Sequence, residues 1–572
     1  MIRAFVPGSM RLPDPEAVLE KAWVPEHSIR FMRAMACGEP FLIRDHLFVV
    51  GEDWLVAVGY PLDGAYEPAA FEDALADAVK QTRPAYCWAA APCLPQALAG
   101  RRVDKDCYYV LDTAAQPPSR LLSLAGRAEA TLRVDQGRTF TPAHRRLWDE
   151  FTKTRDLPER VRAMFDRTGR VLAAESDLFL LNAWDARDNL AACLLIDYAP
   201  ERFACYIIGA HSRKHYTPYA SDLLFREMID AARKQNKDYI HLGLGVNRGI
   251  RRFKTKWGGE PRIAYEMAAW EEKGVHSAAG LSGPPGMPVI RDGQDKWKFI
   301  QSLPPQRKLA MLWQVEKNGR RSWIAGASHF CRFSFRAHLR KVFSEVDAVL
   351  CEGPLDRVSM EVIAGVGRNP EPDSLRLAHR LEDEAIDRLE RVVCGSRGCW
   401  ARLFNTVYPD APDVRGYLSG TRHWFAFYGL WSAFLRRHGW DQSVDLEAWH
   451  LARDMGKYVL GMETIAEQLA TLEHISADRI VRFFRSCGQW DRMRKQNERG
   501  YLRGDLETMF GTSTEFPTRT ELVIGRRDER FLNRMRPFME EGGCAVFVGT
   551  AHMLNLPRML EEAGFTVRGP GR

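Results

Sequence analysis

Two histidines and two glutamates in the second half of the chain are the residues best placed to do chemistry: His329, Glu352, Glu463 and His552. Each follows a short apolar run and a small-residue turn. Residues 322–325 run into Gly326-Ala327-Ser328-His329 and 348–351 into Glu352-Gly353-Pro354. Residues 457–460 run into Gly461-Met462-Glu463, and 544–548 into Gly549-Thr550-Ala551-His552. Neutral imidazoles and a carboxylate can hold a divalent metal with open positions, and such a metal lowers the pKa of a bound water to about 7. The remaining carboxylate serves as general base or fixes one histidine tautomer. The glycine ahead of each histidine is expected to adopt backbone angles closed to other residues. The competing reading makes each of the four a capping or hydrogen-bonded residue at a helix start.

Those positions need a common edge. Short buried runs alternating with long helical stretches imply βα crossovers and a largely parallel sheet, whose carboxyl ends form a ligand crevice. Ahead of the first run, Lys317-Asn318-Gly319-Arg320 predicts a tight hairpin, because Asn-Gly supplies two positive φ angles. Between Glu371 and Trp440 lies a helical insert in which Trp424, Phe427, Tyr428, Trp431, Phe434 and Leu435 share one face. Packing on the sheet is the first reading of that face, and a groove for an apolar substrate the second.

The segments LWQVEKNGRRSWIAGASHF, EGPLD, GMETIAEQL, RRDERFLNRM and VFVGTAHMLNLPRMLEEAGFTV together resemble the TraB/GumN family, related to TIKI-type metalloproteases, over about residues 305–570. The resemblance implies an α/β domain and metal-dependent hydrolysis of a peptide, amide or ester bond by two GxxH motifs and a glutamate. These fall on His329, His552 and Glu352, with Zn, Mn or Co as the metal. It also assigns catalytic positions to Glu352, Glu463 and Arg527, the last as an anion or carbonyl clamp. Asp528 stands where the family has asparagine, and Met462 where it has leucine.

In the first half, strands, a helix over 218–234 capped by Thr217, a further strand and then a basic turn are expected. This order, with GIRRFKTKWGGEP at 249–261, resembles the GNAT acyltransferases and their FemAB-like branch, in which two such units are fused. The resemblance implies a tandem α+β architecture and a phosphate-bearing donor, either acyl-CoA or an aminoacyl-tRNA end. The glycine-rich loop of ordinary GNAT enzymes is replaced by Gly209-Ala210-His211-Ser212-Arg213-Lys214-His215. What remains is cationic: Arg213, Lys214, Arg251, Arg252 and Lys254 are the expected donor-binding residues. The simpler reading is a solvated basic turn.

The expected organisation is therefore a first GNAT-like unit at 1–115, a second at 116–272, a Pro/Gly-rich linker at 273–308 and a TraB/GumN-like domain at 309–572. Apolar residues at 45% and charged residues at 27% exclude collagen-like, disordered and coiled-coil chains. Lysine and arginine exceed the acids by 81 − 74 = +7, too dilute to name a nucleic-acid partner. No signal-like segment opens the chain, and the most apolar window, residues 424–435, is far shorter than the roughly twenty residues of a membrane span. Scattered cysteines, about two per hundred residues, read as reduced thiols, so a cytoplasmic location is expected. The alternatives to the two-part enzyme are a non-catalytic protein holding a small ligand or haem-like group in the same crevice, and a protein active only in its transferase half.

Overall fold

The computed structural model describes residues 10–154, 159–272, 306–372, 376–395, 412–511 and 516–570. Most of the expected linker, and Cys399, lie outside them. The chain divides into two compact units, 7–292 and 293–572 apart from the first six residues. No described helix is long and apolar enough to cross a membrane, and no disulfide joins the described cysteines.

The first unit is built on one twelve-stranded mixed sheet: β1 (Met10–Arg11), β2 (Glu39–Ile43), β3 (His46–Val50), β4 (Trp54–Val58), β5 (Tyr86–Ala91), β6 (Arg102–Asp112), β7 (Arg133–Gly137), β8 (Leu178–Trp184), β9 (Leu190–Asp197), β10 (Phe203–His211), β11 (Tyr239–Leu244) and β12 (Glu260–Glu271). A topological repeat invisible in the residues appears here. In each half an antiparallel meander (β2–β4, β8–β10) is followed by a helix and a strand parallel to the last meander strand. The closing strands are exchanged: β6 pairs with β11, β12 with β5, and β6 with β12. The sheet therefore runs on across the 115/116 border.

Three helices of this unit matter below: α1 (Pro142–Thr154), α2 (Ala220–Lys234) and α3 (Arg248–Lys256). Helix α2 starts two residues later than expected. Thr217 does not cap it; Tyr219 does, in the left-handed region at φ 64°. The expected basic turn is α3. Asn247 caps it by accepting from the Ile250 N–H, and Ile250, Phe253 and Trp257 recur at helical spacing, with Trp257 buried.

The second unit has a six-stranded sheet of β13 (Leu312–Lys317), β14 (Arg320–Ala327), β15 (Ala348–Cys351), β16 (Tyr458–Gly461), β17 (Cys544–Gly549) and β18 (Thr566–Arg568), ordered 16-15-17-14-13-18. Strands β16, β15, β17 and β14 are parallel, and β13 and β18 add an antiparallel edge. The β13–β14 hairpin turns on Asn318 at φ 53° and Gly319 at φ 73°, as the Asn-Gly pair requires. Between β15 and β16 lies the helical insert with α4 (His423–Arg437) and α5 (Val444–Asp454); α6 (Trp490–Arg503) and α7 (Arg526–Glu541) follow β16. On α4, Trp424, Phe427 and Phe434 are fully buried, so that face is mainly a packing face.

The glycines next to the site serve close approach, not unusual angles. Gly549 has φ −54°. A Cβ there would lie 3.0 Å from Glu352 Oε1, and one on Gly326 would lie 3.0 Å from Met553 Cγ. A Cβ on Gly461 would come 2.5 Å from the Gly353 carbonyl carbon, where β16 passes β15. Gly461→Ala is therefore expected to destabilise the second unit by about 2 kcal/mol in denaturant melts, since backbone offers no rotamer to relieve the overlap.

Candidate functional site

Parallel β14, β15, β16 and β17 end at one edge, and the residue types singled out in the sequence meet there. Glu352 follows β15, and Glu463 follows β16. Arg527, in the first turn of α7, lies between them. Its Nη2 donates to Glu352 Oε2 at 2.7 Å and to Glu463 Oε2 at 2.7 Å, and its Nε donates to Glu463 Oε1 at 3.0 Å. Arg530 Nη1 adds a bond to Glu463 Oε1 at 2.8 Å. Burial disfavours the Arg527 charge, but the two glutamates more than offset it and hold its pKa above the ordinary value. Burial likewise pushes the Glu352 carboxyl up. Arg527, then His552, His329 and the Gly549 N–H that donates to Oε1, outweigh it and keep Glu352 ionised well below the usual carboxylate range.

Each histidine carries a carboxylate on Nδ1. His552, in the short turn Thr550–Leu554, meets Asp528 Oδ1 at 2.6 Å, and Asn555 Nδ2 donates to the other oxygen of Asp528 at 2.7 Å. His329, two residues beyond β14, meets Asp445 Oδ2 of α5 at 2.6 Å. An Nδ1–H donated to a carboxylate leaves Nε2 as the outward nitrogen. His552 Nε2 stands 3.4 Å from both Glu352 Oε1 and Arg527 Nη1. His552 and Asp528 are buried, whereas the His329 side chain is 51% exposed into the cavity. Asp445, against the cost of burial, lifts His329 to about 9; water at its exposed edge screens part of that effect.

His329, Glu352, Arg527 and His552 line one cavity of about 200 Å³. Glu463 does not line it; its side chain is 0% exposed, behind Arg527. The position taken as a proton acceptor thus holds the arginine instead. The donor atoms of His329, His552 and Glu352 are not all within 4.8 Å of one another. Among the described residues one trio meets that limit, Glu371, His423 and Glu473. There Arg422 already lies 3.6 Å and 3.7 Å from the two glutamates, and His423 Nδ1 is 2.5 Å from Glu371. Sequence reasoning missed Asp445 and the part played by Asp528. Asp528 carried a signal, its place beside Arg527, but Asp445 lies more than a hundred positions from its histidine and carried none.

In the first unit the expected donor-binding residues do not form one patch. Arg213 and Lys214 have exposed side chains on the loop after β10, and their backbone N–H groups both donate to Glu150 of α1, the Lys214 bond at 3.1 Å. Ser212 Oγ donates to the same carboxylate at 2.9 Å. Arg251 is half exposed, 3.5 Å from Asp106, and Arg252 is exposed. Lys254 is buried: its Nζ donates to the Leu244 carbonyl at 2.6 Å, and burial brings its pKa down to about 7. It lies beyond Cys205 and His241, where the parallel pairing of β10 and β11 stops.

Residues 311–569 match the TraB/PrgY/gumN family. No curated protein matches the chain. Among solved structures, FemX is 9% identical with a TM-score of 0.33, covering 45% of this chain and 96% of that one. L-PGS from Bacillus licheniformis is 16% identical with a TM-score of 0.31, covering 46% and 92%. A GCN5-related N-acetyltransferase from Kribbella flavida is 12% identical with a TM-score of 0.27, covering 44% and 98%. Residues 311–569 thus resemble the TraB/GumN family.

The His329–Asp445 pair gives a direct test. In NMR titrations of the metal-free protein His329 is expected to change charge near pH 9, and Asp445→Asn should return it towards the ordinary value of about 6.5. The sign for stability follows. A pKa raised on folding contributes fully below about 6.5 and is lost as pH rises through about 9, so the acid-side advantage of wild type over Asp445→Asn should vanish above that pH.

Proposed function

We propose that the second unit is a metal-dependent hydrolase of amide or ester bonds. The observation that carries this reading is the pair of carboxylate-held imidazoles, on His329 and His552, beside an ionised Glu352 at the carboxyl edge of a parallel sheet. The donor types suit a divalent cation, which would draw the three donor atoms closer than the 4.8 Å spacing they now exceed. Two Nε2 atoms are presented by Nδ1–carboxylate bonds, and four carboxylates against Arg527 and Arg530 leave a formal charge of −4 + 2 = −2 with neutral histidines. His329, His552 and Glu352 would hold the cation. When bound it would polarise a carbonyl and lower the pKa of a water towards 7.

The chain's own groups have separate tasks. Asp445 and Asp528 fix the imidazole orientations. Glu352, with so low a pKa, is a weak proton acceptor and fits a ligand better than a general base. Arg527, on the cavity wall, is placed to stabilise negative charge developing on a carbonyl oxygen, and Glu463 with Arg530 keeps it there. In the overall reaction water adds to the carbonyl carbon, the C–N or C–O bond breaks, and the amine or alcohol leaves with a proton.

For the first unit we propose acyl or aminoacyl transfer, supported by Lys254, buried where the parallel pairing of β10 and β11 stops. A lysine poised near pH 7 can exchange a proton with an amine. The Glu150 carboxylate takes the loop N–H groups that would otherwise receive a pyrophosphate, which favours a donor bound without that loop.

Four outcomes are expected. Purified protein loaded with Zn, Mn or Co should retain about one ion per chain by elemental analysis, and His329→Ala/His552→Ala should retain none; equal, negligible metal in both would end the hydrolase reading. Asp528→Asn should weaken metal binding by about 10–100-fold, and affinity should rise from pH 7 to 9 as His329 sheds its proton. Acetyl-CoA should leave the wild-type melting midpoint unchanged; a clear rise would show that Glu150 does not keep the loop from the donor.

A further inference from the structure

We infer that the cavity beside His329 and His552 receives a compact apolar group, of aromatic-ring or branched-chain size, carried by the amide or ester substrate. The carbonyl part of this inference rests on the hydrolase reading above; the apolar part rests on the cavity itself. At its floor the strand ends supply His329, Glu352 and His552 and α7 supplies Arg527, while Arg332, Asn497, Glu498, Thr518 and Arg519 add polar groups elsewhere in the lining. One wall is of another kind. Tyr428, Trp431 and Leu435 come from α4, Leu502 from α6, and Val523 and Ile524 from the π-helical turn Glu521–Gly525 that leads into Arg527.

The wall is rigid because it is the edge of the aromatic core. The Trp431 ring stands edge-on to Trp490 at 5.1 Å and to Phe483 at 5.4 Å, so the ring that faces the cavity is held from behind. Size sets the second limit. A dry cavity of about 150 Å³ takes a benzene ring, so about 200 Å³ holds a ring with a short linker. Of the other charged groups in the lining, Arg332 lies 3.9 Å from Glu498, and Arg519 Nη1 donates to the Phe510 carbonyl at 3.4 Å. Leu522 and Leu554, next to Val523 and two residues past His552 in the chain, are 45% and 51% exposed. A polar substituent set against Trp431, Leu435, Leu502, Val523 and Ile524 would give up water with no partner on that wall. An apolar one gains by leaving water.

The test uses the full chain and three amides, 3-phenylpropanamide, acetamide and succinamate, with binding read by saturation-transfer NMR and calorimetry. The phenyl compound should bind at least tenfold tighter than the other two, as burial of a ring-sized group implies. Ile524→Trp and Leu502→Trp, which fill the cavity from two separate segments, should each weaken it at least tenfold with the far-UV spectrum unchanged. The His329→Ala/His552→Ala protein should keep the preference. Equal binding of the three amides, or full phenylpropanamide binding in both folded tryptophan variants, overturns the inference. Preferential binding with no turnover of any apolar amide or ester under Zn, Mn or Co sinks the hydrolase reading and leaves the subsite standing.

Discussion

One buried cation organises the second unit. Arg527 sits between Glu352 and Glu463, which leave the ends of the neighbouring strands β15 and β16, and without its charge two carboxylates would face each other out of water. Breaking such a group by removing one partner is costly, whereas the intact set fixes one arrangement. The Glu463 N–H also donates to the Glu352 carbonyl at 2.6 Å, so backbone and side chains agree on the spacing. The first turn of α7 is thereby pinned to the sheet edge, and with it Asp528, which holds His552.

The same economy appears in the histidines. Each imidazole is oriented by an acid from a different element, Asp445 from the insert and Asp528 from α7. Their environments differ, because His552 is enclosed and His329 faces the cavity. The first unit shows the opposite condition. Its loop N–H groups are already satisfied by Glu150, and its most unusual cation, Lys254, is turned inward. One half of the chain thus presents an oriented polar floor under an apolar wall, and the other a loop closed by Glu150 and, apart from it, a buried amine.

Part of this was legible in the residues. The Asn318-Gly319 hairpin, the four buried runs and the polar residues that end them lie where alternation and turn chemistry put them. Other local inferences failed for physical reasons. The glycines before the histidines looked like φ requirements but answer to crowding by Glu352 and Met553, which come from distant parts of the chain. The basic stretch 248–256 looked like a turn because its charges hid the spacing of Ile250, Phe253 and Trp257. Thr217-Pro218 looked like a helix start, and Tyr219 displaced it.

Sequence by itself determined the chemistry available: which imidazoles, carboxylates and arginines exist, and that they follow strands, because side-chain type and local periodicity are properties of neighbouring residues. The tertiary structure decided what each one does. Glu463 lies behind Arg527, Glu352 is kept ionised, Asp445 and Asp528 orient the rings, and Tyr428, Trp431 and Leu435 become a cavity wall as well as a core edge. Those roles depend on burial, distance and charge between residues tens to hundreds of positions apart, and only the folded chain sets these.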